Sequence, residues 1–216
     1  MKNRLLILEM QDGMMCKNDK NTVKMMIDKA IENKPDNMDM VFKWQLYTKI
    51  KTIVEVIALK HEIFEYAYEY AQSLGFESAA SVFDRENLKY IKQFNVPFVK
   101  IACKTNLYDF RKDMWALIGQ EEYDYDRHII SVENNYDYDY MHNIGRLLCC
   151  VPKYPARLKE YEIFGDRLFS GISDHTTGLV LYNKYKPKIY EKHYYVDGLE
   201  SWDKKWAIKP EELNLL

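Results

Sequence analysis

Short apolar runs alternate along the chain with stretches of helical spacing. The first run, Leu5-Leu6-Ile7-Leu8, is continuous, which is typical of a strand buried on both faces. Comparable runs follow at intervals through the rest of the sequence. The pattern predicts further strands at residues 39–45, 76–82, 97–103, 128–132, 144–151, 167–172 and 188–191.

Between these strands the apolar residues recur at helical intervals. The predicted helices are one capped by Asp19 or Asn21, residues 57–74, one capped by Asp84, and residues 106–118. Two connecting segments, residues 134–143 and 176–185, leave room for only short helices.

Alternation of strands and helices predicts a parallel α/β fold. Eight strands favour a (β/α)₈ barrel, which typically needs ~250 residues and at least about 200. The chain has 216 residues, so we expect a trimmed TIM barrel in a single domain over residues 1–216. A doubly wound open sheet is the alternative.

Composition and charge narrow the class of protein. Apolar residues make up 47% of the chain, enough to bury a core. Lysine and arginine number 31 and aspartate and glutamate 33, a net charge of −2. A protein with nearly balanced charge lacks the excess of positive charge that is typical of proteins that bind nucleic acid or an anionic membrane. No apolar run approaches the ~20 residues that span a bilayer, so we expect a soluble, cytoplasmic protein.

The four cysteines are Cys16, Cys103, Cys149 and Cys150. They show neither a CxxC spacing nor the density of a disulfide framework. We therefore expect reduced and mostly buried thiols.

Polar residues follow or interrupt the predicted strands near their carboxyl ends, where parallel barrels carry their active sites. Lys43 and Lys100 stand inside apolar strands, and burying an unpaired ammonium is costly. One such lysine is explained by an edge position, but two at equivalent positions with hydroxyls nearby indicate an anion site. The polar residues at these ends are Glu9, Lys43, Gln45, Ser81, Lys100, Ser131, Ser173-Asp174-His175 and Glu191-Lys192-His193.

His175 and His193 end successive predicted strands. Neutral imidazole is a common ligand of divalent transition metals, and two histidines at one barrel mouth could hold an ion. A lone histidine is more often structural, which is the interpretation for His61 and His128.

Residues 171–178, Gly-Ile-Ser-Asp-His-Thr-Thr-Gly, followed by Ile-Tyr-Glu-Lys-His at 189–193, resemble the G-x-S-D-H-T…E-K/R-H signature of sialic acid synthases. These are the phosphoenolpyruvate-condensing N-acetylneuraminate synthases and their legionaminate and pseudaminate relatives. Five further blocks resemble the family in the same order, so the resemblance spans almost the whole barrel. These blocks are residues 41–45, 80–84, 96–103, 150–155 and 208–213.

The resemblance implies a role for each matched position. Phosphoenolpyruvate would be held by Lys43, Lys100, Ser81, Ser131 and Ser173. His175 and His193 would bind a divalent metal, Mn²⁺ first, with Mg²⁺ or Co²⁺ as alternatives. Glu9 and Glu191 would lie beside the metal or sugar and count with the two lysines as catalytic. The remaining expected substrate-binding residues are Gln45, Tyr154, Asp174 and Asp203.

The chain also departs from the family pattern. Cys103 replaces a phosphate-binding serine, Thr105 an acidic residue, and Pro152 a polar residue. The N-H-x-G after the first strand is absent. The C-terminal antifreeze-like domain is also absent from this sequence, so sugar recognition is the weakest implied property.

The resemblance implies condensation of phosphoenolpyruvate with an N-acylmannosamine-like aldose to a nonulosonic, sialic-type acid. A first rival is a catalytically impaired barrel that binds phosphoenolpyruvate or phosphate in a regulatory role. A second is a partner-dependent enzyme whose sugar lid comes from another chain, or from the second copy in a homodimer. An aldolase is more remote, since neither lysine needs a Schiff-base role.

Overall fold

A closed barrel of eight parallel strands forms the centre of the molecule. The computed structural model describes residues 4–48, 57–103, 125–134, 145–165 and 169–216. Each strand pairs with the next in the sequence, and β8 pairs with β1 to close the ring. The predicted (β/α)₈ barrel is confirmed, and the open sheet is excluded. The extent of the domain, residues 1–216, stays a prediction.

The observed strands agree with the apolar runs to within a few residues, except for the seventh. We predicted it at residues 167–172, but it runs through the Ser-Asp pair that follows, because these two residues are buried on opposite faces of the barrel wall. The strands are β1 (Arg4–Gln11), β2 (Met38–Leu46), β3 (Glu77–Val82), β4 (Val99–Ile101), β5 (His128–Val132), β6 (Arg146–Cys150), β7 (Gly171–Asp174) and β8 (Ile189–His193).

The interior of the barrel is built in layers because alternate residues of a strand point to the same face. The lower layer is apolar and consists of Ile7, Val41, Ala79, Phe98, Ile129, Leu148 and Ile189. Two residues further along each strand, the layer becomes mostly polar. This upper layer takes one residue from each strand: Glu9, Lys43, Ser81, Lys100, Ser131, Cys150, Ser173 and Glu191.

Helices pack against the outer faces of the strands, where the largest apolar cluster lies. Asp19 and Asp84 cap helices by accepting hydrogen bonds from backbone N–H groups, as predicted. The α-helices are α1 (Gly13–Cys16), α2 (Lys20–Glu32), α3 (His61–Ser73), α4 (Arg85–Ile91) and α5 (Val180–Tyr185). Short 3₁₀ helices cover Tyr125–Arg127, Leu158–Phe164, Trp202–Lys205 and Pro210–Leu215.

The helices after β2 and after β7 differ in extent from the predicted segments. The helix predicted from residue 57 begins at His61, and the segment after β7 forms only the six-residue helix α5. The predicted helix at 106–118 and most of the segment at 134–143 lie outside the described residues. Within the described part of the chain, no helix is both long and apolar enough to cross a membrane.

Candidate active site

A cavity of about 810 Å³ opens at the carboxyl ends of the strands. Its walls come from both halves of the barrel and from the segment that follows β8. Glu9, Lys100, Ser173 and Glu191 of the upper layer line it from below, and His175 and His193 line it one step higher. The location is the one that parallel barrels use for catalysis.

Four buried charged groups form the floor of the cavity. The Lys43 ammonium donates hydrogen bonds to Glu9 and, at 2.8 Å, to the Ser81 hydroxyl. Its Nζ also lies 3.2 Å from Glu191 Oε1, and Lys100 Nζ lies 2.5 Å from the other oxygen of that carboxylate. Two ammonium groups and two carboxylates therefore balance one another. Glu9 and Glu191 therefore compensate the two lysines within the resting site, and the anion site indicated by the sequence stays a prediction.

Burial and pairing shift the pKa values of this cluster. Burial lowers the pKa of Lys43 to about 7, although the Glu191 carboxylate opposes the shift. Burial alone would raise the pKa of Glu191. The ammonium groups of Lys100 and Lys43 outweigh that effect and hold it below its usual range. At neutral pH Glu191 is thus ionised, while Lys43 can gain or lose its proton.

The uncharged hydrogen-bond donors predicted from the sequence lie at the floor of the cavity, within the buried upper layer, or one step above it. Ser81 accepts from Lys43, and the Ser173 hydroxyl donates to Glu191, so both are engaged at the floor. Ser131 is fully buried in the same layer on β5. Gln45 lines the cavity one step above Lys43 on β2. A tetrahedral anion above the floor would find hydroxyl and amide donors on β2, β3 and β7.

Two histidines stand side by side in the cavity wall, with ring centroids 5.3 Å apart. Nδ1 of His175 donates to the Val151 carbonyl at 2.7 Å, since a carbonyl oxygen can only accept. Nδ1 of His193 lies 2.6 Å from Asp203 Oδ2. Burial lowers the pKa of the His193 imidazole. These contacts fix both rings and leave each Nε2 as the nitrogen for a ligand.

Aromatic side chains hold the histidines from above. The Tyr154 ring packs 4.2 Å from His175 and 6.1 Å from His193, measured between centroids. Trp206 lies 5.3 Å from Tyr154 and closes the group. Asp203, on the 3₁₀ helix after β8, lines the cavity and binds His193, so it reaches the place expected of it.

The histidine pair suits a divalent transition metal whose remaining positions are filled by water or substrate. In the parts of the chain that the structure describes, no group of three His, Cys, Asp or Glu side chains is arranged to hold an ion. The oriented Nε2 atoms of His175 and His193 are the donors that fit. The metal site, and the choice among Mn²⁺, Mg²⁺ and Co²⁺, stays a prediction.

A model of the NeuB family matches part of this sequence. Residues 17–111 match the NeuB family. The resemblance found in the sequence motifs is thereby confirmed. A comparison with curated protein sequences gives no match.

Three solved structures illustrate the likeness of this barrel to known proteins. An N-acetylneuraminic acid synthetase from Leptospira borgpetersenii has 22% identity and a TM-score of 0.77, covering 99% of this chain and 81% of its own. A protein named spore coat polysaccharide biosynthesis protein E, from Chromobacterium violaceum, has 17% identity and a TM-score of 0.73, with coverages of 98% and 72%. A truncated 3-deoxy-D-arabino-heptulosonate 7-phosphate synthase from Thermotoga maritima has 12% identity and a TM-score of 0.62, with coverages of 98% and 83%. At these identities the likeness establishes the fold.

The NeuB match covers one side of the cavity floor. Lys43, Ser81 and Lys100 fall within it, and Glu9 and Glu191 fall outside. The barrel brings the two sets together through the pairing of β1 with β2 and with β8.

Lys43 and Ser131 are fully buried in the upper layer and do not line the cavity, and Asp174 is the predicted site residue that faces away from it. It follows Ser173 on β7 and so points to the outer face of the barrel. There its carboxylate accepts from Tyr190 at 2.6 Å and lies 3.2 Å from Lys192 Nζ. Thr176 donates to the second oxygen. Asp174 thus fastens β7 to β8 behind the two histidines.

Several cavity residues were not predicted from the sequence. Gln11 ends β1 at a register shift, with φ of 66°, and its side chain donates to the Tyr194 carbonyl at 2.8 Å. Ser201 donates to Gln11 at 2.6 Å. Irregular backbone next to a site is a common device for aiming a side chain. Asp12 reaches the cavity from the junction of β1 and α1, and Trp202 reaches it from the 3₁₀ helix after β8, and no periodicity marks either residue.

Among the single-residue departures from the family pattern, Cys103 reaches the cavity. Cys103 is buried and lines the wall next to Cys150. Pro152 is exposed, and Thr105 lies outside the described residues. A hydrogen bond from the Cys103 thiol lowers the pKa of Cys150, against the effect of burial.

Proposed function

We propose that this barrel joins phosphoenolpyruvate to an N-acylmannosamine-like aldose and forms a nonulosonic, sialic-type acid. The observation that carries the proposal is the polar layer of the barrel. Two lysines and two carboxylates lie below a pair of oriented imidazoles, all around one cavity. The NeuB match and the similar sialic acid synthetase support it.

The lysines suit the anionic substrate. Phosphoenolpyruvate carries a phosphate and a carboxylate, and Lys43 and Lys100 are the ammonium groups at the floor. Because both are already paired with Glu9 and Glu191, an incoming anion has to share them with these carboxylates. A buried ammonium that faces several oxygens at once is better compensated than one that faces a single carboxylate. Ser81 and Ser173 add neutral donors at the same level.

The reaction assigned to the cavity has three steps. The methylene carbon of phosphoenolpyruvate forms a bond to the aldehyde carbon, and the aldehyde oxygen takes up a proton. Water then adds to the cation left on the neighbouring carbon, which carries the phosphate oxygen, and gives up a proton. The bond from that carbon to the phosphate oxygen breaks, which leaves a ketone and inorganic phosphate. The carboxylates of Glu9 and Glu191 stabilise the cation electrostatically, and Lys43 and Lys100 hold the departing phosphate.

The histidines act on the aldehyde side. A divalent metal bound by His175 and His193 would polarise the aldehyde oxygen. Asp203 keeps the His193 ring in place through Nδ1, and Tyr154 packs over both imidazoles. These contacts hold the aldose end of the cavity rigid.

A second candidate is a barrel that binds phosphoenolpyruvate or phosphate without turnover, in a regulatory or partner-dependent role. The balanced charge of the floor favours it, because a resting site with no net positive charge needs no substrate to be stable. Cys103 in the phosphate-side wall also departs from the serine of the family pattern.

The test supplies the full chain with phosphoenolpyruvate, Mn²⁺ and one aldose at a time. N-acylated mannose-type sugars, arabinose-type aldoses and a reaction without sugar are compared by phosphate release. The proposal expects release that depends on an N-acylmannosamine and is lost in His175→Ala. Tight binding of phosphoenolpyruvate without release on any aldose selects the second candidate. Absence of binding contradicts both.

A further inference from the structure

Gln11 connects the end of β1 with the segment that follows β8. It is 5% exposed and stands at a register shift, with φ of 66°. A residue other than glycine rarely adopts such a φ, and the conformation persists only where the surroundings hold it. Here the backbone N–H of Gln11 donates at 2.9 Å to Glu9 Oε1, while the second oxygen of that carboxylate accepts from Lys43. The left-handed backbone therefore fastens Gln11 to a carboxylate of the cavity floor.

The side chain of Gln11 is fixed in direction by its two partners. Its Nε2 donates at 2.8 Å to the Tyr194 carbonyl, because a carbonyl oxygen can only accept. The amide oxygen Oε1 therefore faces Ser201 and accepts the proton of that hydroxyl at 2.6 Å. Both polar ends of the buried amide are satisfied, and the orientation of the Ser201 hydroxyl follows from that of the amide.

Ser201 extends this order to a histidine. Since its proton is donated to Gln11, the hydroxyl oxygen is free to accept at 3.0 Å from the backbone N–H of Asp203, in the 3₁₀ helix after β8. The Asp203 carboxylate in turn lies 2.6 Å from Nδ1 of His193. A continuous chain of hydrogen bonds therefore leads from Glu9 at the cavity floor to the imidazole of His193.

We propose that Gln11 is a positioning residue, which fixes the His193 ring through Ser201 and Asp203. Glu9 and His193 are register partners in β1 and β8, so strand pairing already places their backbones side by side. Strand pairing leaves the imidazole free to turn about its side-chain bonds, and the hydrogen-bonded chain removes that freedom. The positioning follows from the contacts themselves, and its effect on turnover rests on the proposed function.

The exchange of the His193 Nδ1 proton with solvent measures this positioning directly. The full chain is prepared with isotope-labelled histidine, and its ring protons are followed by NMR. Gln11→Met keeps the length of the side chain and removes both of its hydrogen bonds. We expect the His193 proton to exchange about tenfold faster, because Ser201 and Asp203 are no longer held in place. Nδ1 of His175, which donates to the Val151 carbonyl, should exchange as before and is the control within the same spectrum.

Ser201 supplies matched variants that do not depend on the folding of Gln11→Met. Ser201→Ala breaks the same connection from the other side and should accelerate the His193 proton to a similar degree, whereas Ser201→Thr keeps the hydroxyl and should restore slow exchange. Glu200→Gln, at the exposed neighbouring position, should have no effect. A His193 proton that is unchanged in Ser201→Ala and in Gln11→Met overturns the proposal. Equal acceleration at His175 and His193 also overturns it, because a general loosening of the barrel then explains the result.

Phosphate release under steady-state conditions supplies the second readout. A hydrogen-bond partner that orients a ligating histidine is typically worth ~10–100-fold in activity. We expect Gln11→Met to lower kcat by about tenfold or more and to leave KM for phosphoenolpyruvate within about twofold, because Lys43 and Lys100 keep their contacts. An unchanged kcat in a variant whose His193 proton exchanges fast overturns the effect on turnover. If the unaltered chain releases no phosphate with any aldose, the proposed function fails, while proton exchange still decides whether Gln11 positions His193.

Discussion

Replacing Lys100 with methionine removes one of the two positive charges at the cavity floor while keeping the length of the side chain. Lys100 is 5% exposed, and its ammonium lies 2.5 Å from Glu191. In the Lys100→Met variant Glu191 keeps its contact with Lys43 at 3.2 Å, so the fold retains a compensated carboxylate. The floor nevertheless changes from a balanced cluster to one with a net negative charge. An anion bound there then meets repulsion in place of an ion pair.

The size of the effect follows from the burial of the pair. Truncating one partner of a buried, hydrogen-bonded charge pair costs about 2–5 kcal/mol of binding. At 1.4 kcal/mol per decade, the lower bound corresponds to a loss of about 30-fold in affinity for phosphoenolpyruvate. An ion pair made by an exposed lysine contributes at most ~1 kcal/mol to the binding free energy, which corresponds to about a fivefold change in affinity.

Calorimetric titration with phosphoenolpyruvate at near-physiological salt measures both values. Lys204→Met is the matched control, because Lys204 lines the same cavity but is exposed at its rim. We expect Lys100→Met to lose at least about 30-fold and Lys204→Met to lose less than about fivefold. Circular dichroism establishes that each variant is folded. Equal losses in the two variants would refute the assignment of the buried lysine as an anion ligand.

Three further predictions concern stability. Burial lowers the pKa of Lys43 from 10.5 to about 7, so between these values the folded chain binds fewer protons than the unfolded chain, and the free energy of unfolding rises with pH. Urea titrations at pH 7 and 8.5 should show a rise approaching ~1.4 kcal/mol per pH unit that Lys43→Met lacks, and equal slopes in the two proteins would contradict it. Gly171→Ala places a Cβ 2.0 Å from the Ile189 carbonyl oxygen and should cost about 3 kcal/mol or more of unfolding free energy; a cost below ~1 kcal/mol would show that the two strands can separate. Lys192→Met leaves Asp174 without its ammonium partner, and urea unfolding should show a loss of about 3–5 kcal/mol that the double variant with Asp174→Asn largely recovers.

Local pattern was enough to predict the fold and the composition of the cavity floor. Continuous apolar runs mark strands that are buried on both faces, and the two-residue period places Glu9, Lys43 and Glu191 on the same face as the apolar layer below them. Residues at equivalent positions on the strands therefore lie in the same layer of the barrel. The polar layer can be predicted from the positions of the strands together with this two-residue period.

Pairing across the barrel could not be predicted from the pattern. Which carboxylate meets Lys43 or Lys100 depends on the strand register and on side-chain rotamers, so the pairs with Glu9 and Glu191 were not predicted. The seventh strand was placed too early, and the same motif assigned Asp174 to the substrate although it faces outward. The motif at residues 171–178 therefore contains residues that face the cavity and also residues, such as Asp174, that connect neighbouring strands.

The cavity residues that lie in the segments after the strands could not be predicted from the sequence either. Gln11 enters the cavity at a register shift, and Trp202 enters from a 3₁₀ helix. Neither placement follows a period of two or of 3.6. Such residues are found only when the path of the chain is known.

The condensation itself is tested most directly with phosphoenolpyruvate that carries heavy oxygen in the bridge between the enol carbon and phosphorus. The full chain is incubated with this substrate, Mn²⁺ and N-acetylmannosamine, and the products are analysed by mass spectrometry. We expect a nonulosonic acid together with phosphate that has kept the label, because the bond that breaks joins carbon to oxygen. Unlabelled phosphate, or labelled phosphate without a sugar-derived acid, would contradict it.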